Sequence, residues 1–400
     1  MEMLYRKMPK NEDELSILGF GCMRLPVKDG KIDEERATQQ VRYAIDHGVN
    51  YIDTAWPYHM GESELFLGRA LSNGYREKVK LATKLPSWTV KNSEDMDRIL
   101  NAQLEKLKTD HIDYYLVHGL VGTLWDKMEE LNVLDFIEKA RQDGRIINAG
   151  FSFHGSTEDF KRIVDTYPWE FCLIQYNFLD EKNQAGTEGL KYAASKALGV
   201  IIMEPLRGGK LTNPIPPEVQ DIWDEALEKR TPAEWAFRWI WNHPEVTVVL
   251  SGMNEEAHIE ENLRIANEAY PNSFSEAELQ LVKKVEQKYR ELMKTGCTGC
   301  RYCSPCPSGV DIAACFEIYD NFYLTGNEKE AKLQYAAKPG GIIRGGVSGL
   351  ASQCVECGQC IEKCPQHLDV PTFLKAVAQE FEGKDHKGWK IIAKNAFGKV

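Results

Sequence analysis

The sequence lacks any long apolar run and any excess of basic residues. Its 400 residues carry 60 acidic against 49 basic side chains, which gives a net charge of −11. A protein that tracks nucleic-acid phosphates needs a basic surface, so nucleic acid is not expected as a partner. No run reaches the roughly 18 apolar residues that a membrane span requires. The opening residues, MEMLYRKMPKNEDE, have no signal-peptide core, and we therefore expect a cytoplasmic protein.

Cysteine is scarce through most of the chain and concentrated near its end. Only Cys22 and Cys172 precede residue 297, and the other nine of the 11 cysteines lie between Cys297 and Cys364. In a cytosolic chain, clustered cysteines indicate metal binding more often than disulfides.

Short β-rich runs alternate with helical patterns over the first two thirds of the chain. The predicted strands are 16–21, 50–53, 79–84, 112–118, 146–150, 172–176, 199–203 and 246–250. Nearly apolar strands alternating with helices predict a parallel sheet covered by helices. Eight such units favour a closed (β/α)8 TIM barrel, with an open doubly wound sheet as the alternative. One intervening helix is predicted to take Ser93 as its N-cap.

The predicted domains follow from the end of this alternation. We expect the barrel over residues 1–270 and a connecting helix over 271–294, opened by a capping box of Ser275 and Glu278. A small cysteine-rich α-helical domain should occupy 295–400. Within it, the glycine-rich segment 336–349 is predicted to be a loop.

Two runs hold eight of the clustered cysteines. They are Cys297-x2-Cys300-x2-Cys303-x2-Cys306-Pro307 and Cys354-x2-Cys357-x2-Cys360-x3-Cys364-Pro365. In two-cluster ferredoxins, three closely spaced thiolates bind one cubane and the fourth binds the other. That exchange predicts two 4Fe–4S clusters, one held by Cys297, Cys300, Cys303 and Cys364, the other by Cys354, Cys357, Cys360 and Cys306. Zinc sites are the alternative reading of CxxC pairs, and Cys315 is predicted to be a buried apolar thiol.

The segment between the two runs, which includes DIAACFEIYDNFYL (311–324), resembles the α-helical ferredoxin modules appended to larger redox enzymes. Seven stretches before it resemble the aldo-keto reductase family in order and spacing, over residues 1 to about 265. They are LGFGCMRLP (18–26), YIDTAWPYHMGESE (51–64), LATK (81–84), DYYLVHGL (113–120), GFSFH (150–154), QYNFLD (175–180) and MEPLRGGKL (203–211). With its cysteine-rich end, the whole chain is similar to the members from anaerobes that carry a 4Fe–4S domain.

Four side chains supply a proton-transfer site. Asp53, Lys84 and His118 lie at the C-terminal ends of predicted strands, where catalytic groups of a barrel converge, and Tyr58 follows in a loop. Reduction of a carbonyl by hydride needs a proton donor, and a tyrosine can serve if a cation lowers its pKa. We expect Lys84 to be that cation, Asp53 to pair with it and His118 to orient the carbonyl oxygen. The set matches the catalytic tetrad of the family.

The resemblance also implies contacts with a nicotinamide dinucleotide. Ser152 and Gln175 would bind the carboxamide, with Met203 at the ring face. The remaining implied contacts are Gly21, Cys22, Met23, Leu206, Gly208, Lys210, Ser251, Gly252, Met253, Glu261 and Asn262. His258 stands where the family places the arginine that binds the 2′-phosphate of NADP(H), and Glu255 and Glu256 would repel that phosphate. NAD(H) is therefore slightly favoured over NADP(H).

Joining the two parts raises a question of electron count, because a cluster passes one electron and a nicotinamide passes two as hydride. The first hypothesis is an oxidoreductase that reduces a small carbonyl, or oxidises the alcohol, with clusters for electron transfer or structure. The second is a ferredoxin-coupled reductase with a flavin in the barrel. The third is a non-enzymatic redox sensor or electron carrier on an enzyme fold. A ferredoxin or flavoprotein is the expected electron partner.

Overall fold

The computed structural model describes residues 2–342 and 346–397 and divides into two compact units. The first comprises Met1–Pro205 and Glu234–Ser275, and the second comprises Leu206–Ala233 and Glu276–Val400. Residues 206–233, which the predicted barrel domain included, thus group with the C-terminal unit.

Eight parallel strands of the first unit close a barrel, which confirms the predicted fold and removes the open-sheet alternative. Neighbouring strands pair in the order β3-β6-β7-β8-β9-β10-β11-β12 and back to β3. Two short antiparallel hairpins, β1–β2 and β4–β5, accompany the barrel. The strands are β1 (Tyr5–Lys7), β2 (Glu14–Ser16), β3 (Leu18–Gly21), β4 (Val27–Lys28), β5 (Lys31–Ile32), β6 (Tyr51–Asp53), β7 (Lys80–Leu85), β8 (Ile112–Leu120), β9 (Ile146–Phe153), β10 (Phe171–Gln175), β11 (Gly199–Met203) and β12 (Val246–Ser251).

Helices follow the barrel strands. They are α1 (Glu34–Asp46), α2 (Glu62–Ala70), α3 (Ser93–Leu107), α4 (Gly122–Glu130), α5 (Val133–Gln142), α6 (Thr157–Thr166), α7 (Gly186–Ser195), α8 (Pro217–Trp223), α9 (Pro232–Trp241) and α10 (Glu256–Ala266). The N-cap of α3 is Asn92 and not the predicted Ser93, because the Asn92 side chain accepts the backbone N–H of Asp95. Within the described ranges, no helix is both long and apolar enough to cross a membrane.

The interior of the barrel is filled by buried, mostly aromatic and aliphatic side chains. Tyr51, Tyr114 and Phe171 pack edge to face there and are fully buried. Gly19 on β3 admits no larger residue without movement, since an added Cβ would lie 2.8 Å from Leu250 Cδ2 and 2.9 Å from Val248 Cγ1. A filled interior leaves the loops at the C-terminal ends of the strands as the place for chemistry.

The second unit is helical, as predicted. Besides α8 it contains α11 (Glu276–Leu292), α12 (Ile312–Thr325), α13 (Glu328–Ala337), α14 (Gln359–Glu362), α15 (Val370–Phe381) and α16 (His386–Phe397). Its core includes Phe316, Tyr335 and Phe381, together with the buried thiol of Cys315. Helix α11 begins directly after Ser275, in agreement with the predicted capping box. The predicted loop 336–349 starts at the end of α13, and its residues 343–345 lie outside the described residues.

Candidate active site and cysteine cluster

A buried ion pair lies at the C-terminal ends of β6 and β7. Lys84 Nζ donates to Asp53 Oδ1 at 2.6 Å and Oδ2 at 2.8 Å, and to the carbonyl oxygen of Thr54 at 2.7 Å. The two side chains are only 1% and 4% exposed. Burial lowers the pKa of Lys84 and raises that of Asp53, while their mutual attraction favours the charged form of each. Three acceptors within 2.8 Å are the condition under which a buried ammonium stays charged.

Tyr58 lies against this pair. Its Oη is 3.5 Å from Lys84 Nζ, which also lies 5.0 Å from the centre of the ring. The two residues that follow Tyr58, His59 (φ 50°) and Met60 (φ 57°), both have left-handed backbone conformations. This conformation is costly for residues other than glycine. Burial, with the negative charge of Asp53, raises the pKa of Tyr58 well above its usual value. The direction is opposite to the one expected from sequence, because burial and the charge of Asp53 are the two largest influences and both raise the pKa.

His118 completes the group on β8. Its ring lies 6.2 Å from that of Tyr58 and 5.0 Å from that of Trp88, centre to centre. Burial, and then the charge of Lys84, lower the pKa of His118 well below its usual value, so the imidazole is neutral at pH 7. Its Nδ1 is buried and has no hydrogen-bond partner among the described residues. Trp88 keeps 42% of its surface exposed and forms an apolar wall beside the imidazole.

The structure therefore brings all four predicted catalytic side chains together. The phenol stays protonated at neutral pH and is the form that can donate a proton, next to a fixed ammonium and a neutral imidazole. These are the components that general acid catalysis at a carbonyl oxygen requires.

The three residues expected around a nicotinamide lie on adjacent strands. Ser152 on β9 accepts the N–H of Gly119 at 2.7 Å. Gln175 and Met203 are directly paired across β10 and β11. Gln175 Nε2 donates to Asp180 Oδ2 at 2.9 Å, so its amide is held in place by the protein. Ser152 and Gln175 are buried polar groups at the C-terminal ends of neighbouring strands, which fits the recognition of a carboxamide.

The expected adenosine side surrounds the end of β12. Asn262 on α10 donates to Ser251 Oγ at 3.0 Å and contacts Met253 Sδ at 3.5 Å. An added Cβ on Gly252 would lie 3.2 Å from Arg24, so this loop closely approaches the loop after β3. The other predicted contacts lie on these two loops and on α10, namely Gly21, the buried Cys22, the half-exposed Met23, His258 and Glu261.

Arg36 on α1 was missed by sequence reasoning and changes the charge of this region. Its guanidinium pairs with Glu255 at 2.5 Å and with Glu256 at 2.6 Å. Hydrogen bonds from Arg36 and Gln40 lower the pKa of Glu256 to about 2. Part of the negative charge expected to repel a 2′-phosphate is thus neutralised by an arginine distant in sequence. No sequence pattern within residues 255–262 indicates that Arg36 pairs with this segment.

Three further predicted cofactor residues, Leu206, Gly208 and Lys210, belong to the second unit. There Lys210 Nζ donates to Asp320 Oδ2 at 3.1 Å, and neighbouring Arg207 donates to the carbonyl oxygen of Gly296 at 2.7 Å. Both partners lie beside the first cysteine run or on the helix that follows it. The resemblance had implied that residues 206–210, Arg207 among them, approach the dinucleotide, and it had assigned no role to Asp320.

The cysteines are grouped across the two runs. Burial, and then the charges of Cys297 and Cys364, raise the pKa of Cys303 to about 12. Cys360 interacts with Cys354, Cys306 and Cys357, and it is also the smallest of the influences on Cys303. These four cysteines line one narrow cleft together with Cys303. The last cysteine of each run therefore lies near cysteines of the other run, as the expected exchange of ligands between the runs requires.

Among the eight cysteines of the two runs, Cys357 is exposed and the other seven are half-buried. Cys357 is exposed and has exposed Val355 and Ile361 close to it in sequence, whereas Cys297 is half-buried. Cys300 lies in the same loop as Cys297 and is also half-buried.

Comparison with known proteins agrees with both parts. Residues 17–285 match the model of the Aldo/keto reductase family, and residues 296–368, which contain all eight predicted ligands, match that of a 4Fe-4S dicluster domain. The chain is 24% identical over 298 residues to the uncharacterized oxidoreductase YqkF of Bacillus subtilis, covering 66% of this chain and 92% of that protein.

Two more proteins are similar to this chain over a comparable length. L-galactose dehydrogenase of Arabidopsis thaliana is 26% identical over 301 residues, covering 70% of this chain and 93% of that protein. The solved structure of the holo form of aldo-keto reductase AKR11C1 from Bacillus halodurans superposes with a TM-score of 0.59 at 25% identity, covering 71% of this chain and 96% of that one. The family match spans well over half of the chain. The protein therefore belongs to the aldo/keto reductase family of oxidoreductases and carries a 4Fe–4S domain that follows its barrel in the sequence.

Proposed function

We propose that the protein reduces a small carbonyl substrate, or oxidises the corresponding alcohol, by hydride transfer in the barrel, and that its second unit holds two 4Fe–4S clusters. The observation that carries the proposal is the convergence of Tyr58, Lys84, Asp53 and His118 at one end of the barrel. A cytoplasmic location is part of the proposal and is supported by the many thiols.

Each side chain has a defined role in the proposed reaction. A nicotinamide held by Ser152, Gln175 and Met203 would supply hydride chemistry at the carbonyl carbon. Tyr58 Oη gives its proton to the carbonyl oxygen, so that the alcohol forms as the phenolate is left behind. Lys84 stabilises that phenolate from 3.5 Å, and Asp53 holds the ammonium in place. The neutral His118 binds the carbonyl oxygen, and solvent restores the proton to Tyr58.

The eight cysteines would bind the clusters, which supply one-electron transfer when present. Cys357 is exposed, and its side of the unit is the one from which a ferredoxin or flavoprotein partner would deliver or collect electrons. Cys297 and Cys303 are each more buried, as suits a cluster that exchanges electrons within the chain.

Replacement of Tyr58 tests the barrel chemistry. Tyr58→Phe should lower kcat for carbonyl reduction by roughly 10²–10⁴-fold, because the general acid is lost. Dinucleotide affinity, measured by fluorescence quenching, should stay near the wild-type value. Tyr43→Phe, the same change on the exposed face of α1, should leave both quantities unaltered. Wild-type turnover by Tyr58→Phe would mean that the donor or the reaction is wrong.

Metal content tests the second unit. Anaerobically prepared protein should contain about eight iron and eight sulfide ions per chain, the content of two cubanes. Cys306→Ala and Cys364→Ala should each disturb the cluster held mainly by the other run, because each thiolate crosses over. Cys315→Ala, in the core of the same unit, should retain the full content. Stoichiometric zinc without sulfide would contradict the proposal.

Cofactor preference follows from the charges on and before α10. NADH should bind at least as tightly as NADPH, because His258 lacks the guanidinium that binds a 2′-phosphate through two hydrogen bonds and Arg36 is already paired with Glu255 and Glu256. His258→Arg should tighten NADPH binding selectively, as measured by fluorescence quenching. His47→Arg adds the same charge beyond the end of α1 and should change neither affinity. Tight NADPH binding with weak NADH binding by the wild-type protein would overturn this preference.

A further inference from the structure

Lys210 is buried beside the first cysteine run. It lies on the segment that follows β11, and this segment packs as part of the second unit. Its ammonium pairs with Asp320 on α12 at 3.1 Å, with side chains that are 12% and 0% exposed. Lysine and aspartate are almost never buried this far unless they are paired. The ion pair therefore belongs to the interior of the second unit and is not a surface contact.

Asp320 connects this lysine to the loop that binds metal. Its Oδ1 accepts the backbone N–H of Thr295 at 2.8 Å, and its Oδ2 accepts the Thr295 hydroxyl at 2.7 Å. Thr295 Oγ1 in turn accepts the N–H of Cys297 at 3.2 Å. Since Arg207 also holds the carbonyl oxygen of Gly296, the segment after β11 fixes the backbone on both sides of the approach to Cys297.

The two charges of the pair lie beside the same cysteine loop, because Lys210 donates to Asp320, Asp320 accepts from Thr295, and Thr295 Oγ1 accepts the N–H of Cys297. Reduction of a cluster adds one negative charge to it, so a nearby cation favours the reduced state and a nearby anion opposes it. Net charge, hydrogen bonds to sulfur and solvent exposure are the means by which a protein sets cluster potentials.

We propose that Lys210 and Asp320 set the reduction potential of the cluster bound by Cys297, Cys300, Cys303 and Cys364, with Lys210 raising it and Asp320 lowering it. The inference rests on the proposed function, since it requires that cluster. Lys210 and Asp320 are positioning residues that act through the ligand loop. Lys210 thereby has a role within the second unit that the family resemblance, which placed it near a pyrophosphate, does not assign.

Redox titration followed by EPR measures the effect directly. In Lys210→Met, one of the two one-electron couples should move to a more negative potential, by about tenfold in the equilibrium constant or about 59 mV. Asp320→Asn keeps an oxygen for the backbone N–H groups and should move the same couple to a more positive potential. Lys210→Arg should match the wild type. Lys284→Met, the same change at an exposed position of α11, should move neither couple.

Iron and sulfide are measured first in every variant. This measurement distinguishes a failure of the proposed function from a failure of the inference about Lys210 and Asp320. A wild-type protein without clusters would defeat the proposed function itself. Two normal couples in the wild type with no shift in Lys210→Met would overturn only the present inference. Equal shifts of the same sign in Lys210→Met and Asp320→Asn would also overturn it, because a general loosening of the loop would give that result. Should Lys210→Met lose iron, Lys210→Gln replaces it under the same criteria.

Discussion

The ion pair of Lys84 and Asp53 is the interaction on which the proposed barrel chemistry depends. Moving two charges out of water costs several kcal/mol per ion, and attraction offsets that cost only when every polar atom is satisfied. Here the ammonium has both carboxylate oxygens and the carbonyl oxygen of Thr54 within 2.8 Å. The pair fixes a positive charge 3.5 Å from the phenol of Tyr58. The positive charge of Lys84 has little effect on the neutral phenol of Tyr58 but stabilises the phenolate that forms when the proton leaves. The charge therefore favours the product of proton transfer.

A second buried carboxylate holds the backbone of this pair in place. Glu64 on α2 is fully buried, and its Oε1 accepts from the hydroxyl of Thr83 at 2.7 Å and from the amide of Gln103 at 2.6 Å. Gln103 also donates to the carbonyl oxygen of Lys84 at 3.0 Å, so the strand that carries the lysine is tied to α3. This layer orients Lys84 without touching the reacting atoms and makes the ammonium a rigid element of the site.

The features that could be predicted from the sequence are those that a periodic pattern or a motif encodes. The eight barrel strands follow from alternation, and the match of residues 296–368 to a 4Fe-4S dicluster domain agrees with the spacing of the cysteines. Sequence reasoning failed where partners are distant and each is unremarkable by itself, as with Arg36 and Asp320. It also gave the wrong direction for the pKa of Tyr58, because composition and order do not reveal how deeply a side chain is buried. Burial and long-range pairing are properties of the fold and not of a local pattern.

The central claim is that one chain combines hydride chemistry in the barrel with clusters in the second unit. A visible absorption spectrum of anaerobically purified protein, recorded before and during incubation with NADH and a carbonyl compound, tests it most directly. The account predicts iron–sulfur absorption without flavin bands, and NADH consumed in equal amount to the alcohol formed. Stoichiometric flavin bands with no consumption of NADH would contradict it and would favour a flavin in the barrel.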